Sequence, residues 1–206
     1  MMTRLPFGQM NDQNAVFVGF YVRSKLYQDY DYVSQEVRDQ EHTQILLLMR
    51  WDGRLGFPGG RVDPGEELID AALREVREEI HFLLVNGASP QERATQQGQL
   101  RQRLQPIGAH ELRAGFTAHF LSCEITPAER DYIRANSHLA LHANAEVAGV
   151  NFVHCFDLPN KGLSSLLEHG LFVPGVRDEL AWLLETHGID VVTPHHTRAI
   201  QKLMKD

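Results

Sequence analysis

The sequence predicts an α/β fold in which one sheet is covered by helices, and three observations lead there. Short runs rich in Val, Phe, Ile and Leu alternate along the chain with segments of helical period. With 206 residues, 43% of them hydrophobic and 23% charged, the chain can close one core without staples. No internal repeat divides it, so a single domain over 1–206 is expected.

The first run, "NAVFVGFYVR", is dense in Val and Phe and reads as a buried strand. "DYDYVSQEVRDQEH" then reads as a polar excursion before a second strand, "TQILLLMR". Asp52-Gly53 signals a turn, and the chain is extended again at "LGFPGGRV", where Pro58 disfavours helix just before it. After Asp63-Pro64-Gly65 the period changes. Leu68, Ile69, Ala72, Val76 and Ile80 recur at helical spacing, so one face of this segment points into the core. The Gln- and Arg-rich "QERATQQGQLRQRLQ" reads as a polar helix or loop, which makes the region around 88–105 an insertion between core elements. "GFTAHFLSCEI" and "EVAGVNFVHCFDL" read as further strands. "TPAERDYIRA", "LSSLLEHG" and "VPGVRDELAWLLETHG" read as helices, the last with Leu180, Leu183 and Leu184 on one side.

Composition narrows the function classes. Cys123 and Cys155 both lie in apolar strand-like runs, as reduced buried thiols do, which favours a reducing, intracellular setting, cytoplasmic before nuclear. No run approaches the roughly 20 apolar residues that span a bilayer, and "MMTRLPFGQMNDQ" lacks the apolar stretch of a signal peptide, so no membrane partner is expected. A net charge of -7 disfavours indiscriminate nucleic-acid binding. An RNA partner would have to be held locally.

The most informative stretch is "GGRVDPGEELIDAALREVREEI", from Gly59 to Ile80. On a helix, Glu75, Glu78 and Glu79 stand at i, i+3 and i+4, so three carboxylates share one face and repel one another. One reading is a solvated acidic face partnered by Arg74 and Arg77. The other is a site for a hard divalent cation, which takes oxygen ligands and neutralises a bound diphosphate. The wider spacing favours the second: Gly60, five residues, Glu66, seven residues, Arg74-Glu75, Val76, one residue, Glu78-Glu79.

That array resembles the Nudix box, the motif of hydrolases that cleave a nucleoside diphosphate linked to another group. The chain departs from it at His81, where the box has glycine, and at Phe82, in the final aliphatic place. Glycine there caps the helix in a left-handed conformation, which histidine reaches at some cost. Outside the box, "MRWDGRLGFPGG" with "VD", "AHF" at 118–120, "EVAGV" from Glu146 and "RDEL" at Arg177 resemble the Nudix branch of snoRNA-decapping and inosine-diphosphate-cleaving enzymes. The resemblance implies an α/β/α sandwich around a mixed sheet and a Mg²⁺ or Mn²⁺ cofactor. It places metal ligands at Glu75, Glu78, Glu79, the carbonyl of Gly59 and His110, with Glu66 and Arg74 buttressing the helix behind them.

By the same resemblance Glu146 brings a further carboxylate, and either Glu79 or Glu146 is the base that activates water. Arg50 and Phe57 match substrate-holding positions, one for anionic or base contacts and one for stacking. A base-contacting histidine of the branch falls here on Phe17, and a base-reading glutamine falls on Glu179. The function expected is hydrolysis of a diphosphate linkage in purine or inosine nucleotides, or in the cap of an RNA. The alternatives are an ADP-ribose or NAD-type pyrophosphatase, or a non-catalytic RNA- or protein-binding scaffold, against which the three glutamates argue. The branch also implies a homodimer. His119 reads as a strand residue with a backbone partner, and His195-His196 as a tail feature without ligand spacing.

Overall fold

The computed structural model describes residues 2–25, 39, 41–82, 89–143, 145–155 and 162–189. Most of the polar excursion at 29–42 lies outside the described residues, as do His195 and His196. Seven strands form one mixed sheet: β1 (Gln13–Lys25), β2 (Glu41–Arg50), β3 (Leu55–Gly56), β4 (Gly59–Arg61), β5 (Gln105–Arg113), β6 (Phe116–Glu124) and β7 (Val147–His154). The helices are α1 (Leu68–Ile80), α2 (Pro90–Arg103), α3 (Pro127–Asn136), α4 (Gly162–His169) and α5 (Val176–Thr186), with a 3₁₀ turn at Ser137–Leu139.

β1 is the spine. It runs parallel to β6 over Gln13–Tyr21, and β6 pairs antiparallel with β5. On its other side β1 has two partners in succession, β4 at Ala15–Phe17 and β2 at Tyr21–Lys25. β2 then continues away from β1, paired with β7 and β3. Where the two partners of β1 part, Val18 N–H donates to the Pro58 carbonyl at 2.8 Å, and the sheet opens into a cleft.

Alternation along the strands builds two apolar layers. Val16, Val18, Phe20 and Val22 of β1, with Leu46 and Leu48 of β2, pack under α1, α2 and α3. Tyr21, Ile45 and Leu47 face the opposite way, against α4 and α5, where Leu163, Leu167, Leu180 and Trp182 close the second layer. Each fully buried aliphatic side chain contributes about 1.5–3 kcal/mol. The expected α/β/α sandwich is therefore the observed one.

Of the two forms expected for the polar 88–105 segment, helix or loop, the structure has the helix: α2 starts at a capping box of Ser89 and Glu92 and buries Leu100 in the core. Its Arg101 pairs with Glu67 and Asp70 beside α1. The following "QPIGAHELR" is strand β5, which the sequence does not announce because Pro106 and Gly108 interrupt any alternation, and the register shifts there.

Candidate active site

The site is assembled by α1 and the strand-loop that precedes it. Helix formation buries Ala72, Val76 and Ile80 as the spacing predicts, but it also buries Glu75 and Glu79 on the same side. Burying two carboxylates costs free energy unless each finds a partner. Glu75 finds Arg74, whose Nη1 donates at 2.7 Å to Oε1 and at 3.3 Å to Glu78 Oε2. Arg74 is itself fixed, with Nε and Nη2 each 3.0 Å from the two oxygens of Glu66 and Nη2 2.8 Å from the Arg61 carbonyl. Glu66 also accepts the Asp63 N–H at 3.0 Å. Glu66 and Arg74 thus tie the loop after β4 to the helix and hold the glutamates in place.

Glu79 points elsewhere. Its Oε2 accepts the Gly59 N–H at 2.7 Å, beside the cleft that opens between β1 and β2. Burial pushes its carboxyl up to about 8; the Gly59 N–H opposes the shift, and the charges of Glu75 and Glu146 reinforce it. Burial also raises Glu75, against the pull of Arg74, whereas hydrogen bonds from Arg74 lower Glu66. The paired glycines have separate tasks. Gly59 sits at φ 148 with Val16 and Phe17 where a Cβ would go, and a Cβ on Gly60 would stand 2.5 Å from Glu75 Oε1. Only glycine lets the carboxylate lie directly on the strand.

The cleft is lined by Phe17, Arg50, Phe57, Glu79 and Glu179, among others. Arg50 stands at its mouth, 44% exposed and 3.5 Å from Asp52. Phe57 is buried and packs on Phe120, ring centroids 4.9 Å apart. Glu179, on the first turn of α5, is 2% exposed. Its Oε1 lies 2.9 Å from His110 Nε2. Burial raises its pKa and the hydrogen bond to His110 opposes the shift.

His110 is where structure and expectation differ. It lies in the middle of β5, fully buried, edge-on to Trp182 at 5.6 Å, and it serves Glu179 instead of joining the α1 carboxylates. The histidine beside Glu75 and Glu78 is His142, from the loop between the 3₁₀ turn and β7. Ligand atoms of Glu75, Glu78 and His142 all lie within 4.8 Å of one another. Nothing local in the sequence marks His142, which is far along the chain and has no spacing relation to the helix. Glu146 is exposed in the same loop; its carbonyl meets the Trp51 N–H at 3.4 Å.

A family model described as Nudt16-like, U8 snoRNA-decapping enzyme-like, matches residues 23–189. The chain belongs to that family of Nudix hydrolases. The mouse U8 snoRNA-decapping enzyme is 32% identical over 144 residues, 68% of each chain. A protein of the same name from Homalodisca vitripennis is 32% identical over 105 residues, 51% of this chain, and that match spans only half of the relative. A solved mutT/nudix family protein from Listeria innocua superposes with a TM-score of 0.54 at 16% identity, covering 87% of this chain and 96% of that one. It bears on the fold alone.

Nudix hydrolases generally use divalent metal ions. The donors here fit such an ion: two carboxylates and an imidazole converge, Glu75 rests on a glycine that leaves it room, and His142 Nδ1 is buried with no hydrogen-bond partner among the described residues.

Proposed function

We propose that this Nudix chain hydrolyses a diphosphate linkage in a purine nucleotide, an inosine or guanosine diphosphate or the corresponding group of an RNA cap, with Mg²⁺ or Mn²⁺. One observation carries the reading. Glu79 belongs both to the carboxylate face of α1 and to the wall of the cleft that holds Phe17, Arg50, Phe57 and Glu179. A nucleoside in that cleft has its phosphates directed at the glutamates.

The roles follow from position. Glu75 and Glu78 would hold the cation together with the Gly59 carbonyl, and bound metal would neutralise phosphoryl charge and lower the pKa of a coordinated water. Arg74 and Glu66 keep the two carboxylates convergent. Glu79 is oriented by Gly59 N–H, and its other oxygen has no hydrogen-bond partner among the described residues, which suits it to accept a proton from water. Between the two candidate bases, its place in the cleft favours Glu79 over the exposed Glu146. Phe57 and Phe17 supply aromatic surface for a base, Arg50 a cation for its phosphate, and Glu179 an acceptor deep in the cleft. The homodimer is part of the same reading, tested by light scattering of the purified chain.

The experiment is a panel of inosine, guanosine and adenosine diphosphates, dinucleotides, ADP-ribose and capped RNA with Mg²⁺, Mn²⁺ or a chelator. Turnover of purine diphosphates or caps that the chelator abolishes is expected. Turnover confined to ADP-ribose would replace the substrate reading, and none on any member would remove the hydrolase reading.

A further inference from the structure

We infer that His142 is a ligand of the catalytic cation, supplying a nitrogen donor that tilts the site from Mg²⁺ toward Mn²⁺ and the later first-row ions. The inference rests on the proposed metal-dependent reading and adds to it a residue that the box does not contain.

Its backbone is locked to the helix. His142 N–H donates at 2.8 Å to the Glu78 carbonyl, one of the four at the end of α1 without an intrahelical partner. The His142 carbonyl in turn accepts the N–H groups of Ala145, Glu146 and Val147 at 3.0–3.2 Å, which folds the loop around this residue. The ring is therefore delivered to the carboxylates by fixed backbone bonds.

Among the described residues its side chain has no hydrogen-bond partner. Nδ1 is buried without a hydrogen-bond partner among the described residues, a condition that costs about 1–3 kcal/mol when nothing relieves it. Its ligand atom and those of Glu75 and Glu78 lie within 4.8 Å of one another, and no hydrogen bond or ion pair among the described residues joins the ring to either carboxylate. Ligand bonds of about 2.1 Å put the donor atoms of one ion roughly 3–4 Å apart, so small rotations complete the set. Arg74 binds one oxygen of each glutamate and leaves Glu75 Oε2 to face a cation, while Glu78 Oε1 lies 3.7 Å from Nη2 of the half-exposed Arg77, a solvated partner that a cation can displace. Two carboxylates alone would suit Mg²⁺. An added imidazole favours Mn²⁺, Co²⁺ or Zn²⁺, which accept nitrogen, over Mg²⁺, which holds to oxygen and water.

The test is electron spin echo modulation of the Mn²⁺-loaded full chain, with Mn²⁺ and Mg²⁺ affinities by calorimetry. Wild type should show modulation from an imidazole nitrogen, replaced by the ¹⁵N pattern when histidine is labelled, and His142→Ala should lose it. His142→Ala should also weaken Mn²⁺ about tenfold or more and Mg²⁺ less than threefold. No nitrogen modulation in wild type, its persistence in His142→Ala, or equal losses for the two ions would overturn the inference. If His142→Ala changes nothing while Glu75→Gln abolishes binding, the histidine is excluded and the metal-dependent reading stands. If wild type binds neither ion, both fall.

Discussion

Two polar clusters lie on opposite faces of the sheet and are held by different means. At α1, Glu66, Arg74, Glu75 and Glu78 form a charged network, with side chains 10–23% exposed, that a cation can enter from solvent. At α5, His110 and Glu179 are sealed at 0% and 2% exposure, one hydrogen bond joining them under Trp182. The first cluster has surplus negative charge and calls for a cation. In the second one ring nitrogen meets one carboxyl oxygen, with His110 Nδ1 buried and unpartnered among the described residues, and the contact fixes the orientation of one carboxyl at the base of the cleft. Glu79 and the cleft lie between them, so the same pocket meets a charge-neutralising side and a hydrogen-bonding side.

The comparison breaks first at Gly60. A Cβ there would meet the Glu75 carboxylate at 2.5 Å, and that flexible group can swing away at small cost in stability but not in position. Gly60→Ala is expected to lower turnover about a hundredfold with little change in melting temperature, since misplacing a catalytic group by about 1 Å has that effect. Turnover within threefold of wild type would show that the position of Glu75 is not critical.

The sealed side should govern base choice. With one oxygen engaged by His110, Glu179 in its ionised form, which that hydrogen bond favours against burial, can only accept, so the N1–H of hypoxanthine or guanine suits it and the bare N1 of adenine does not. Inosine diphosphate should exceed adenosine diphosphate in kcat/KM by about thirtyfold, roughly 2 kcal/mol, and Glu179→Gln should narrow the gap without altering metal dependence. Equal ratios in both proteins would detach Glu179 from the base.

Acid separates a third pair of effects. His119, fully buried, accepts the Gly8 N–H at Nδ1 and donates from Nε2 to Asn14, and burial pulls its pKa down to about 4. The unfolded chain, titrating near 6.5, binds the proton first, so this histidine's contribution to stability is present above about pH 6.5 and is lost as pH falls toward 4. Glu79, raised to about 8, has the opposite sign: its contribution is full below about pH 4.5 and is lost as pH rises toward 8. Comparing urea unfolding of His119→Gln with wild type isolates the histidine, and the variant should lose less stability than wild type between pH 6.5 and 4. Parallel curves would contradict the assignment.

The smallest effect is at the exit of α1. His81 has φ 55, the left-handed cap position, and both ring nitrogens are buried without a partner among the described residues. His81→Gly should stabilise the fold by up to about 1 kcal/mol in denaturant titrations. A loss instead would mean that the packing of the ring outweighs the backbone strain.

What could be read from the sequence follows the same division. The α1 cluster is local: Glu66, Arg74, Glu75 and Glu78 lie within 13 residues, so helical spacing gathers the last three and the short turn before the helix brings Glu66 to Arg74, and the capping histidine is visible as a departure from glycine. The strands with unbroken apolar runs were legible for the same reason. β5 was not, because Pro106 and Gly108 hide its alternation, and with it went the true setting of His110. The His110–Glu179 contact joins residues 69 apart, and His142 reaches α1 across a separation of 64 from Glu78. Such pairs are made by sheet order and loop docking, which no local period encodes.

The central claim is that α1 and the cleft form one hydrolytic centre through Glu79. The direct measurement is inosine diphosphate turnover by wild type and Glu79→Gln at saturating Mg²⁺ and Mn²⁺, with melting curves of both. Turnover should fall about a hundredfold or more in Glu79→Gln, as loss of a positioned base does, while the melting temperature holds or rises because glutamine keeps an oxygen for the Gly59 N–H without the charge that burial opposes. Near-normal turnover in a folded Glu79→Gln protein would contradict it.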